Sequence, residues 1–110
     1  MTPLRIALTA DPTLPVPPRL YGGIERVIHF LAEGLTARGH DVVLFAHRDS
    51  RVSCRLIGYA SDGDGGVETI RNAALIARSV LGGRFDVVHS FGRLAYLLPV
   101  LPTRVPKIMT

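Results

Sequence analysis

Two short segments carry the groups that could do chemistry. They are Tyr21-Gly22-Gly23-Ile24-Glu25 and His89-Ser90-Phe91-Gly92-Arg93. A glycine pair that opens straight into a helix leaves bare N–H groups at the helix start, since the first helical amides have no partner within the helix. With the positive end of the helix dipole behind them, such amides favour an anion by ~0.3–1 kcal/mol. Read more plainly, Gly22 and Gly23 are two permissive residues that only turn the chain into the helix. Tyr21 and its neighbour Arg19 either contact a ligand or pack and solvate. Glu25 complements the dipole and can also accept a hydrogen bond from a ligand hydroxyl. His89 is either a general base or a hydrogen-bonded structural residue. Ser90 caps or binds, and Arg93 holds a phosphate or faces water.

These segments must be positioned by regular elements. Leu4–Ala10 reads as a buried strand. The loop Asp11–Gly23 follows, stiffened by Pro12, Pro15, Pro17 and Pro18, which forbid helix there. A helix is expected over Ile24–Arg38, with Ile24, Val27, Ile28, Leu31 and Leu35 on one stripe of a 3.6-residue period. Gly39 stops it. Val42–Ala46 is unbroken apolar sequence, as in a strand buried on both faces of a parallel sheet. Cys54–Tyr59 is a weaker strand whose direction stays open, because the link to it is short for a parallel crossover. A second helix covers Val67–Leu81, with Ile70, Ala73, Ala74, Ala77 and Leu81 on its stripe, and Gly82-Gly83 ends it. Asp86–His89 is the next strand. A short helix over Arg93–Leu98 stops at Pro99, and Lys107–Thr110 begins a last strand.

Strands alternating with helices predict a Rossmann-like α/β fold. Its doubly wound, mainly parallel sheet has an order near 3-2-1-4-5 and helices on both faces. In such sheets ligands bind beyond the carboxyl ends of the strands, where the strand order reverses. That point lies between the first strand and the one ending at His89, so Gly22, Gly23, His89 and Ser90 are expected at one crevice.

The 110 residues make one domain, and 47% hydrophobic content is enough for a core. A net charge of +4 comes from 13 basic and 9 acidic residues. The arginines are scattered, without a basic run or aromatic interleaving, which argues against nucleic acid. Cys54 is the lone cysteine, so no internal disulfide forms and a reducing compartment fits. No secretory signal or membrane-span pattern is visible, which makes the cytoplasm the expectation; peripheral contact with the inner face of a membrane stays open. His29, His40, His47 and His89 lack metal-ligand spacing, so no metal is expected. Neither a GxxxxGK[ST] loop nor a GxSxG elbow occurs.

The order and spacing of three motifs resemble a known family. They are the strand-loop-Gly22-Gly23-Ile24-Glu25 segment, Leu31-Ala32 through Arg38-Gly39-His40-Asp41-Val42, and Asp86-Val87-Val88-His89. Together they are similar to the N-terminal domain of family 4 glycosyltransferases of the GT-B fold. The resemblance implies a retaining transfer from a nucleotide-diphosphate sugar, without a metal, to a sugar, lipid or small-molecule acceptor. It places Gly22 and Gly23 near the donor phosphates and the acceptor, and His89 near the reacting centre. Many relatives read His-x-His at that strand end; Phe91 stands at the second position here and lines the acceptor pocket in this reading. The resemblance also implies a C-terminal nucleotide-sugar domain that this sequence lacks. The chain is therefore expected to be an incomplete N-terminal, acceptor-side domain that is inactive alone. Two other readings stay open. One is an NAD-type oxidoreductase domain, although a proline loop replaces GxGxxG. The other is a non-catalytic α/β interaction module.

Overall fold

The computed structural model describes residues 3–18, 20, 22–59, 65–92 and 94–110. Strands β1 (Arg5–Thr9), β2 (Asp41–Ala46), β3 (Arg55–Gly58), β4 (Val87–Ser90) and β5 (Lys107–Met109) form one sheet. Its order is β3-β2-β1-β4-β5, and every pairing is parallel. Helix α1 (Gly23–Ala37) joins β1 to β2, and α2 (Gly66–Gly82) joins β3 to β4. The expected fold class and strand order are both observed.

Period-2 pleating sorts the strands between two cores. Ile6, Leu8 and Ala10 of the first strand segment join Val42, Leu44 and Ala46 under α1, where Ile28 and Ala32 meet them. Ala7, Val43, Phe45 and Val88 point to the other face, under Ala73, Ile76, Ala77 and Val80 of α2. Burial on both faces explains why the β1 and β2 sequences are continuously apolar rather than alternating.

The direction of the Cys54–Tyr59 segment is settled as parallel, with Leu44 beside Leu56. Eight residues without a helix carry the chain back from Ala46 to Arg55. They run along the α1 side, where Val52 and Cys54 pack against that core. The Glu33 carboxylate on α1 anchors this return by accepting from the Ser53 N–H at 2.9 Å and its hydroxyl at 2.5 Å. Those two bonds also hold the Glu33 carboxyl below its ordinary range.

Both helix stripes are rotated from the expected ones. On α1 the buried line is Glu25, Ile28 and Ala32, while Ile24 and Val27 are each 54% exposed. On α2 it is Asn72, Ala73, Ile76, Ala77 and Val80, and Ile70 and Leu81 lie in solvent. The physical reason is that the apolar arc on each helix is wider than its buried face, so periodicity alone does not fix the phase. On α2 the buried arc also carries Asn72, whose amide donates to the Tyr96 hydroxyl at 3.2 Å in the buried interior. The expected single helix over Arg93–Leu98 is instead two 3-10 turns, Leu94–Tyr96 and Leu98–Val100. Pro99 falls in the second turn instead of stopping a helix, since a proline is tolerated at a helix start.

The rotated stripes give a direct stability test. Ile28→Ala and Ile76→Ala each remove a fully buried side chain and are expected to cost about 2–5 kcal/mol. Ile24→Ala and Ile70→Ala, on the exposed arcs, are expected to stay within about 0.5 kcal/mol in denaturant titration.

Candidate functional site at the carboxyl edge of the sheet

The connections after β1 and β4 leave the sheet at the same edge, side by side, because Thr9 is in register with Ser90. The junction is tied at three levels. The Thr9 hydroxyl donates to the Ser90 hydroxyl at 2.8 Å, and both residues are fully buried. The Phe91 N–H donates to the Thr9 carbonyl at 2.9 Å, extending the ladder by one residue. Gly92 lies against the start of the other loop, and a Cβ there would sit 3.4 Å from the Ala10 carbonyl oxygen and 3.2 Å from the Tyr96 ring.

The β1–α1 loop is shaped from both ends. Tyr59, buried beside β2, donates its hydroxyl to the Ala10 carbonyl at 2.8 Å and packs on Tyr96 with ring centres 5.7 Å apart. Burial raises the Tyr59 phenol well above its ordinary range, so it stays protonated and remains a donor. Further along, the Val16 N–H donates to the Ser50 hydroxyl and the Arg51 N–H to the Val16 carbonyl. The proline loop is therefore clamped to the β2–β3 connection. Between them lies a cavity of about 380 Å³ lined by Pro15, Pro17, Pro18, Asp49 and Arg51.

At the far end of that loop, Gly22 is the N-cap of α1, with φ of +129° and no side-chain cap. A Cβ at Gly22 would lie 2.7 Å from Glu25 Oε1 and 3.1 Å from Pro18 Cβ. At Gly23 a Cβ would meet nothing within 4 Å. The first bond along the helix is from the Arg26 N–H to the Gly22 carbonyl, so the amides of Gly23, Ile24 and Glu25 have no partner within the helix. Glu25 is buried, and its carboxylate folds back over the N-cap, where the dipole favours it.

On β4, His89 is half-buried and stacked on Phe91, with ring centres 4.2 Å apart. Its Nε2 lies 2.9 Å from the Thr110 hydroxyl. Burial lowers its pKa below 6.5, so the ring is neutral at pH 7. Phe91 packs against the cluster that contains Val16 and Ile28, placing it in the same layer as α1. Ser90 has turned inward, its hydroxyl occupied by Thr9, so its contribution here is to join two strands.

Tyr21, Arg93 and Arg19 lie outside the described residues. Sequence reasoning missed Thr9, Tyr59, Asn72 and Tyr96, which hold the two loops together. Their only signal was a polar or aromatic residue interrupting an apolar run, which does not by itself name a partner. No group of three or more potential metal ligands occurs among the described residues. No helix among them is long and apolar enough to cross a membrane.

Comparison with known proteins adds an independent line. A glycosyltransferase from Rickettsia africae superposes with a TM-score of 0.71 over 99% of this chain at 20% identity, covering 30% of that protein. AviGT4, a glycosyltransferase involved in avilamycin A biosynthesis, gives a TM-score of 0.68 over 97% of this chain at 26% identity, covering 32% of that protein. The chain thus spans about a third of the length of each. No match was found among curated proteins. The sequence pattern of Glycosyltransferase Family 4 matches residues 21–110, from the helix-opening glycines through β4 to the last strand, and the chain belongs to that family.

Proposed function

We propose that this chain is the acceptor-side lobe of a retaining glycosyltransferase that uses a nucleotide-diphosphate sugar, with the donor held mainly by a second lobe. The observation that carries this reading is the pairing of Thr9 with Ser90. It brings the two connections expected to bear the chemistry out of the same edge of the sheet. Family membership argues against the dehydrogenase reading and against a purely non-catalytic module.

In this reading the C1–O bond of the donor breaks and the diphosphate leaves with the electron pair. The acceptor oxygen bonds C1 on the same face, and its proton passes to a leaving-group oxygen. Charge develops on the diphosphate as the bond breaks. The amides at the start of α1 are preorganised donors for it, stabilising charge without reorganisation at the moment of reaction. Gly23, with open space where a side chain would stand, lets that charge approach the backbone. His89 stays neutral and orients a hydroxyl of the reacting sugar or acceptor, while Phe91 fixes its ring. The acceptor enters beside the proline-walled cavity, where Asp49 and Arg51 supply polar contacts. No metal takes part, since amides and basic groups do the neutralising. The protein acts in the cytoplasm, in solution or peripherally at the membrane.

The decisive experiment is a transfer assay on the protein carrying its second lobe. Gly23→Ala is expected to preserve stability within about 0.5 kcal/mol and to lower kcat at least tenfold by obstructing the phosphate approach. Unchanged kcat would remove the amide role. Gly22→Ala is the less informative variant, since its positive φ and its crowding predict a folding cost of about 1–3 kcal/mol by thermal denaturation.

His89 gives a second test, by NMR titration of its ring. Its midpoint is expected below 6.5, and Phe91→Ala should move it back upward by rehydrating the ring. The sign for stability follows. The unfolded chain protonates first as pH falls through 6.5, so His89 opposes folding in acid and contributes nothing above its ordinary value.

A further inference from the structure

A second cavity lies at the opposite edge of the sheet, where the strands begin. It measures about 260 Å³, and its lining includes Arg5, Val43, Arg55, Ile57, Arg78 and Phe85. Three arginines from three elements share this lining, and among the described residues no carboxylate does.

The topology explains why they meet. Arg5 has the same parity on β1 as Ala7, and Arg55 the same parity on β3 as Ile57, so all four belong to the α2 face. Register puts Arg55 beside Val43, and Val43 beside Ala7, two residues on from Arg5. With strands about 4.8 Å apart and about 3.3 Å per residue, the Cα atoms of Arg5 and Arg55 stand roughly 11–12 Å apart. Two extended arginines can close on one small ion across that span. Arg78 comes down from the last turns of α2 to complete the group.

Arg5 is already held in place. Its guanidinium lies 4.7 Å from the centre of the Phe85 ring. Asp41 Oδ2 approaches Nε at 3.4 Å, too poorly aligned for a hydrogen bond, and Nε is buried without a hydrogen-bond partner. Asp41 and Asp86, which accepts from the Arg5 N–H at 2.7 Å, stand outside the lining. The cavity has roughly the room of nine waters, enough for a solvated phosphate group. Guanidinium forks match the oxygens of phosphate, and with Asp41 offsetting part of the Arg5 charge the Arg55 and Arg78 charges still balance a dianion.

We propose that Arg5, Arg55 and Arg78 form a binding site for a phosphate dianion, free or as the headgroup of a lipid, at the edge of the sheet away from the transfer chemistry. The site does not depend on the reading of the carboxyl edge. Arg55 and Arg78 are solvent-facing, so their replacement leaves the core intact.

The test is calorimetric titration of the protein with inorganic phosphate at constant ionic strength. Wild type should bind saturably, and Arg55→Gln with Arg78→Gln should weaken that binding at least tenfold while leaving the circular dichroism spectrum unchanged. Arg48→Gln, at the other edge, should leave it unaltered. Co-sedimentation with vesicles containing phosphatidic acid, but not with phosphatidylcholine vesicles, that is lost in the Arg55/Arg78 variant would identify a lipid headgroup. Phosphate binding without sedimentation would identify a free phosphate. Absence of saturable binding overturns the proposal. So does binding that survives in the Arg55/Arg78 variant but is lost in Gly23→Ala, which would assign the anion to the start of α1 instead.

Discussion

The placement of β1 between β2 and β4 is the constraint on which the rest depends. A parallel strand at the centre of a sheet is covered on both faces and hydrogen-bonded on both edges. Every residue of β1 after Arg5 is buried, so none can serve a ligand directly. Chemistry is displaced to the connections. Because all strands run the same way, the β1 and β4 connections emerge together, while α1 and α2 must return on opposite faces. A crevice at the carboxyl edge follows from strand order before any side chain is chosen.

Strand order supplies only approximate proximity; small buried bonds fix it. The Thr9 and Ser90 hydroxyls satisfy one another where neither can reach water. Tyr59 holds the first carbonyl of the β1 loop, and Asn72 holds Tyr96, on which Tyr59 and Gly92 rest. A made hydrogen bond contributes about 1 kcal/mol net, whereas a buried partner left alone costs about 1–3 kcal/mol. This asymmetry favours the single arrangement in which both loops sit flush. It also explains polar residues in a core that apolar ones could fill: they add specificity at the place where position matters most.

Much of this was legible in the residues. Val42–Ala46 announces a doubly buried strand by lacking any polar break, and Gly39, with φ of +89°, ends α1 as expected. Helix phase was not legible. Ile24 and Val27 look like core because hydrophobicity records what could be buried, while the sheet selects which arc is buried. The small Ala32 allows close approach and wins over larger neighbours. The direction of β3 was equally hidden, because the connection that returns the chain is anchored by Glu33 binding Ser53, twenty residues away. Ser90 illustrates the same limit within the candidate site: its type suits binding, but its parity turns it inward.

The glycine signal shows how far spelling alone can carry a site. Gly22-Gly23-Ile24-Glu25 opens α1, and Gly65-Gly66-Val67-Glu68 opens α2 in nearly the same words. In both, the glutamate three residues on folds towards the N-cap, within 2.7 Å and 2.6 Å of where a Cβ would be. That is half of a capping box, and it stabilises any helix start. The two differ in backbone and in place. Gly22 has φ of +129°, which demands glycine, whereas Gly65 has φ of −69°, open to any residue. Helix α1 follows the central strand, at the reversal of strand order; α2 follows the edge strand β3, where no second connection faces it. The motif therefore acquires its meaning from topology. Nearly the same four residues open one helix beside the connection that follows β4 and the other at the margin of the sheet, and only the first stands where two connections meet.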